Sequence, residues 1–401
     1  MDMAALDERV CNPVSDAELN RRWSATRAKM RDQGIDALVV SGAQDWMNGT
    51  IRWFTGLPAN NGYPRSAIFP LEGLMTVCEQ GPVNAEAKLT GKETASRGVG
   101  RKVFTPSYPG GVEYTGRYDG ELIAREINQS GYKTVGMVCP AGMYHGIADT
   151  VKSRSKGVKF VDATDMVDLI KVVKSAEELD MIRRTAAMQD DVMRKVQAHV
   201  KPGMKDFEVA AFAQYHGQLQ GSEQGIFLCS SAPPGKPARF MPRAQQARTM
   251  QQGDTFTLLI ENNGPGGMFA ELSRTFVLGK ASQELKDALG LVLEAQQNSL
   301  QRLKPGASCK DVYAAHNVFM KSRGLAEEKR LYCHGQGYDM VERPLIRDDE
   351  PLPIIENMNI VVHPGIMNER LFMTNTDNYI IGPNGAGESI HKIPKKIIEL
   401  G

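Results

Sequence analysis

Four side chains able to ligate a metal or move a proton fall at the ends of apolar, strand-like runs. Glu261 and Glu271 lie ten residues apart on the two arms of GDTFTLLIENNGPGGMFAELSRTFVLG, His334 in CHGQG and His363 in VVHPGI. Imidazole and carboxylate together suit Zn²⁺, Mn²⁺ or Fe²⁺, and a divalent ion with an open coordination position lowers the pKa of bound water to about 7. Side chains alternate between the faces of a strand, so Glu271 shares a face with Phe269, Ser273 and Thr275, and His363 shares one with Val361 and Asn359. All four residues are thus free to point into one pocket. The alternative for each is structural: a Glu at a strand end is ordinarily a solvated edge residue, and a His among apolar neighbours an internally bonded one. Arg243 and Arg248, in APPGKPARFMPRAQQARTMQQGD, offer forked guanidinium groups to a substrate carboxylate, against the commoner use of loop arginines at a solvated surface. Cys333 beside His334 invites a thiol nucleophile, but neighbours on an extended segment point apart, and a small buried hydrophobe is the expectation.

Such residues converge only if strands are held in register by helices. From Lys174 the segment KSAEELDMIRRTAAMQDDVMRKVQAHV carries Ser175 as N-cap with Glu178 three residues on, which predicts a long helix opening a second domain. Helical spacing also covers 206–219, 283–303 and 310–321, while strand patterns cover 255–260, 269–278, 359–363 and 378–381. An antiparallel sheet covered by helices follows. Before that boundary, strand-like runs (IDALVVSG, SAIFPLEG, LMTVCEQ, TVGMVCP) alternate with helical stretches at 17–33 and 120–130, the rhythm of an α/β domain with a mixed or parallel sheet. The expected division is residues 1–170 and 171–401.

The 401 residues carry 48 Lys+Arg and 47 Asp+Glu, a net charge of +1. No global field favours nucleic acid or an anionic membrane, and a small-molecule substrate is the expected partner. Six scattered cysteines form no Cys-x-x-Cys pair and read as reduced thiols. MDMAALDERV lacks an apolar stretch of the signal-peptide kind, and no apolar run reaches the roughly 18 residues of a membrane span. A cytoplasmic protein is expected. No GxGxxG or Walker-type phosphate loop is present.

In their order, these motifs resemble a family. An acidic residue, a second about ten on before x-x-Arg-Thr-Phe, then His-Gly-x-Gly, x-Pro-Gly and a late strand before a Gly-rich turn are similar to the pita-bread fold of methionine aminopeptidase, prolidase and creatinase. Here they read ENNGPGGMFAELSRTF, HGQGYDMVERPL, NMNIVVHPGI and TNTDNYIIGPNG, while KSAEELDMIRR and LKPGASCKDVYAAHN resemble the creatinase/prolidase branch. The resemblance spans roughly residues 20–395 and implies a creatinase-like N-terminal α/β domain, a C-terminal pita-bread domain with a curved antiparallel sheet, and a homodimer.

Position by position, the resemblance places the family's dinuclear metal ligands on Glu261, Glu271, His334, His363 and Thr376. Only His334 keeps the usual residue type. Both aspartates are glutamates, the glutamate before Pro-Gly is His363, and the last bridging glutamate is Thr376, beside an Asp377 that faces the other way. The surviving set implies one Zn²⁺, Mn²⁺ or Fe²⁺ ion on Glu271, His334 and His363, with Glu261 as fourth ligand or general base. Glu342, in the Glu-x-Pro position, is expected as a base or orienting residue. Arg274 matches a family-wide position. The stretches WMNGTIRWFTG and NNGYPRSA correspond to a segment that reaches the partner's active site in creatinase-like dimers, so Tyr63 and Arg65, with Arg243 and Thr376, are expected to contact substrate. Trp46, Arg52 and Trp53 lie beside them.

Val341 stands where the family's peptidases carry a second histidine, which argues against an ordinary Xaa-Pro peptidase. The expected reaction is hydrolysis of a C–N bond in a small polar metabolite. The alternatives are a metal-free hydrolase or a lyase, eliminating across C–S or C–N, with His334 or His363 as acid/base, and a pita-bread module that binds without catalysing. Creatinase is metal-free and uses a histidine in the loop before Gly253-Asp254, where this chain has none.

Overall fold

The computed structural model describes residues 14–44, 46–59 and 62–401; the MDMAALDERV segment, Cys11 and the Asn60-Asn61 pair lie outside the described residues. The chain divides into two compact units, the first ending at Lys171 and the second beginning at Val172 in the described chain.

In the first unit, α1 (Asp16–Gln33), β1 (Ala37–Gly42), α2 (Gly49–Thr55), β2 (Arg65–Pro70), β3 (Met75–Gln80), β4 (Glu86–Lys88), β5 (Val99–Thr105), α3 (Gly116–Ser130), β6 (Thr134–Val138), α4 (His145–Arg154), β7 (Lys159–Asp162) and α5 (Thr164–Lys171) follow in order. The strands form one mixed sheet, β4-β5-β3-β2-β1-β6-β7. The unbroken run ALVVSG of β1 is buried along its length, as suits an interior strand, here antiparallel to β2 and parallel to β6. Ile123 and Ile127 of α3 and Ile147 and Val151 of α4 pack with Val39 and Val135 in this unit's core.

The second unit opens with α6 (Ala176–His199), started by the Ser175 and Glu178 capping box, an arrangement contributing about 1 kcal/mol. Then come α7 (Asp206–Gln218), β8 (Gly225–Ala232), β9 (Thr255–Asn263), β10 (Phe269–Val277), α8 (Gln283–Leu300), α9 (Cys309–Ser322), β11 (Cys333–Gly335), β12 (Glu342–Leu345), β13 (Asn359–Val362), β14 (Gly365–Met367), β15 (Phe372–Thr374), β16 (Asp377–Gly382), β17 (Gly385–Ser389) and β18 (Ile398–Glu399). One sheet runs β18-β10-β9-β8 and a second β12-β11-β13-β16-β17. An isolated bridge, Ser273 to Thr376, joins them. Val192, Val196 and Val209 of α6 and α7 pack against Leu258, Ile260 and Leu272 of the first sheet. Cys309 and Val312 of α9 pack against Ile360 and Val362 of the second. Cys333 belongs to that core, its thiol pushed well up by burial, so it serves as a small hydrophobe. No described helix is long and apolar enough to cross a membrane.

Candidate metal centre

The unbroken β9 to β10 ladder puts Glu261 directly opposite Glu271. Both side chains are buried. The turn between the arms, GPGGM, places Gly266 and Gly267 at φ 93, where a β-carbon is strained, so the glycines permit the tight return.

The second sheet brings the histidines. His334 lies on β11 opposite Val361 of β13, and the His363 backbone N–H, just past β13, donates to the Tyr332 carbonyl at 2.8 Å. The imidazoles meet edge to face, centroids 5.3 Å apart. Gly335 admits β12 beside β11: a β-carbon there would collide with the Arg343 carbonyl oxygen. The two sheets are pinned by the Glu271 N–H donating to Asn378 Oδ1 at 2.8 Å, which sets His334 Nε2 3.9 Å from a Glu271 carboxyl oxygen. One donor atom each from Glu271, His334 and His363 lies within 4.8 Å of the others.

Electrostatics agree with a ligand set. His334 Nδ1 lies 3.0 Å from the Gly335 carbonyl, a contact that assigns the proton to Nδ1 and leaves the Nε2 lone pair facing Glu271. Burial holds His334 down at about 4. His363 is held lower still by burial, then by His334 and Arg330, so both rings are neutral, the form that binds metal. Its buried Nε2 has no hydrogen-bond partner. Burial also raises both carboxyls, and the Glu271 charge raises Glu261 further.

Two amides missing from the sequence-level account complete the site. Buried Gln336, inside HGQG, donates to Glu261 Oε1 at 2.8 Å and to the Met340 carbonyl at 2.9 Å, while its own oxygen accepts from Asn378 Nδ2 at 2.8 Å. A polar residue between two glycines among buried strands was the available signal.

Other candidates are engaged elsewhere. The Glu342 carboxylate pairs with buried Lys174 at 2.7 Å and accepts from the Asp339 N–H at 3.2 Å, so it is held by charge and does not join the cluster. Thr376 Oγ1 accepts from Ser273 at 2.7 Å and is wholly buried. Arg243 is exposed on a short 3-10 turn, and Arg248 pairs with Asp254 and Ser231. Buried Arg274 pairs with Asp377 at 2.8 Å and donates to four backbone carbonyls, which braces the strand. In the first unit, Tyr63 is exposed with its ring against Tyr108, and Arg65 pairs with Glu79 at 2.8 Å.

The model of metallopeptidase family M24 matches residues 180–389, just over half of the chain. A Sinorhizobium fredii protein described as uncharacterized hydrolase/peptidase y4tM is 27% identical over 338 residues, covering 81% of this chain and 82% of its own. The Xaa-Pro dipeptidase of Pyrococcus horikoshii is 22% identical over 273 residues, 67% of this chain and 76% of its own. Among solved structures, the X-Pro aminopeptidase of Thermotoga maritima superposes with a TM-score of 0.77 at 18% identity, over 94% of this chain and 99% of that one. The prolidase of Pyrococcus horikoshii gives 0.75 at 18% identity, over 94% and 100%. These likenesses carry the pita-bread fold, and the extent of the family match makes this hydrolase a divergent member of metallopeptidase family M24.

Proposed function

We propose that this protein hydrolyses a C–N bond in a small polar molecule at a single divalent ion, Zn²⁺, Mn²⁺ or Fe²⁺, held by Glu271, His334 and His363. The observation that carries the reading is the convergence of these three donors within 4.8 Å with the buried His363 Nε2 left without a partner. Two neutral imidazoles and a carboxylate fit such an ion. When bound, the ion would supply positive charge that polarises the scissile carbonyl and activates water.

Glu261 is the residue placed to move protons. Gln336 fixes Glu261 Oε1; with a cation beside the pair in place of the proton that burial and Glu271 otherwise hold there, the ionised Glu261 would take a proton from the attacking water and return it to the leaving nitrogen. The Ser273 and Thr376 hydroxyls bond to each other, a neutral pair where the resemblance expects a bridging carboxylate, and this favours one ion over two. Val341, an apolar residue beside Glu342, supports a substrate other than an ordinary Xaa-Pro peptide. The reading includes a cytoplasmic homodimer, checked by analytical ultracentrifugation and cell fractionation.

The test is elemental analysis of protein purified without chelator. About one equivalent of a transition metal per chain, lost in His363→Ala, is expected. Absence of metal after reconstitution would overturn the reading in favour of histidine acid/base chemistry or a non-catalytic module, and two equivalents would overturn the single-ion assignment.

A further inference from the structure

Arg330 precedes His334 by four residues. The His363 N–H donates to the Tyr332 carbonyl, and β11 continues the pairing with Cys333 opposite Val362. Followed backwards, this register sets Arg330 across from Gly365, in the His363-Pro364-Gly365 turn. Contact confirms it: a β-carbon at Gly365 would stand 2.8 Å from Arg330 Nη2. The glycine therefore makes room for the guanidinium, two residues beyond a proposed ligand.

That guanidinium is held in place on one edge and open on the other. Glu328, itself buried, accepts from Arg330 Nε at 3.0 Å and Nη2 at 2.6 Å. Glu328 is fixed in turn, its N–H donating to Asn317 Oδ1 at 2.7 Å and its carbonyl accepting from Tyr313 at 2.8 Å. Such a fork spends little rotamer freedom when it meets a ligand. Nη1 has no hydrogen-bond partner among the described residues, and the side chain keeps 48% of its exposure. The contact at Gly365 places the guanidinium at the turn that follows His363, and its charge acts to lower the pKa values of Glu271 and His363.

We propose that Arg330 is the specificity-determining residue of this site and binds a carboxylate on the substrate, so that the preferred substrates are small amides bearing a carboxylate beside the hydrolysed bond. The geometry gives the reason: the guanidinium is anchored by Glu328 at the His363-Pro364-Gly365 turn with Nη1 open, and a planar carboxylate matches the remaining N–H directions. This rests on the hydrolase reading above, yet it is tested through binding, so the two fail separately.

The probes are N-acetylglycine and N-acetylglycinamide, alike except for the carboxylate, titrated calorimetrically into the full-length protein, both metal-loaded and chelator-treated. N-acetylglycine is expected to bind wild type about tenfold or more tightly than the amide. Arg330→Gln is expected to erase that preference and Arg330→Lys, which keeps the charge and loses the fork, to retain part of it, with metal stoichiometry unchanged in both. Equal affinities in wild type, no binding of either probe at millimolar concentration, or a preference surviving in Arg330→Gln would each overturn the assignment. Arg330→Lys and the wild-type comparison keep the test open should Arg330→Gln fold poorly. A protein that binds no metal but keeps the carboxylate preference would sink the metal centre and leave Arg330 standing.

Discussion

Glu261 and Glu271 sit directly opposite each other on β9 and β10, two buried carboxyls in one register pair. Like charges facing each other across a ladder destabilise it, and desolvation adds to the cost. The fold tolerates the pair because a proton between the carboxyls, or a cation beside them, removes the repulsion. Gln336 donates to one member and not the other, so the pair is asymmetric. Glu271 is left to face His334, and proton exchange is the role proposed above for Glu261.

A stability prediction follows for the chelator-treated protein. Both carboxyls are raised above the ordinary carboxylate range, so the folded state keeps a proton that the unfolded chain has lost. A raised carboxyl makes stability fall as pH climbs above that range, by at most about 1.4 kcal/mol per pH unit for each proton. Thermal melts of the chelator-treated protein are expected to show a falling Tm toward alkaline pH, and Glu261→Gln to flatten that slope. Parallel slopes for the two proteins would sink the account.

The Lys174 and Glu342 pair is buried on both sides, and leaving either charge alone costs about 3–5 kcal/mol. Lys174→Met and Glu342→Gln are each expected to lower the denaturant midpoint, with the double variant losing much less than the sum. The same cycle bears on function. If Glu342 acted as the base, Glu342→Gln would abolish turnover while Lys174→Met left the chemical step in place; the ion pair predicts that both fail together through stability. Additive losses in urea titrations would refute the pairing.

Much of the architecture was legible, and the reasons lie in particular residues. The Ser175 and Glu178 spacing marks the start of α6, and the apolar arms around Glu261 and Glu271 mark β9 and β10, because capping and alternation are local. The strand β8, GIFLCSSA at a sheet edge, escaped notice because serines and a cysteine dilute its alternation. The helices α2 and α4 are short, and α2 begins without a side-chain cap. At the site, the two histidines and Glu271 stand out by type and position. Glu342 does not reveal its role, since Lys174 lies 168 residues earlier. Arg65 and Glu79 find each other across β2 and β3 in the same hidden way. Gln336 and Asn378 look like turn residues until the sheets close over them.

Gln336 joins Glu261, the Met340 carbonyl and Asn378 through three hydrogen bonds. Gln336→Leu keeps the volume roughly and strips all three, leaving buried polar groups unpaired at about 1–3 kcal/mol each before relaxation. A loss of about 2–4 kcal/mol in urea unfolding at unchanged m-value is expected. Metal stoichiometry should survive, because Gln336 touches none of the three proposed ligands. Loss of metal in Gln336→Leu with unchanged stability would contradict this division of labour.

His316 tests whether acid sensitivity belongs to the scaffold or to the site. Its ring stacks on Tyr332, centroids 3.8 Å apart, its Nδ1 lies 3.2 Å from the Ser299 hydroxyl, and its buried Nε2 has no partner. Burial holds it down at about 4, against the partial opposition of Glu328. An unfolded histidine titrates near 6.5. A base with a depressed folded value contributes stability that is present above the unfolded value and lost as pH falls from about 6.5 toward about 4. His316→Gln removes that titration at the cost of the ring stack, about 1 kcal/mol. The wild type is therefore expected to be the more stable protein at neutral pH, and its advantage to shrink steadily on acidification in urea titrations. Because Tyr332 leads into Cys333 and His334 on β11, the same protonation loosens the strand that carries a proposed ligand, and wild-type activity should fall on the acid side in step with stability. A stability gap that stays constant across this range would place the acid sensitivity elsewhere, with the His334 and His363 pair as its source.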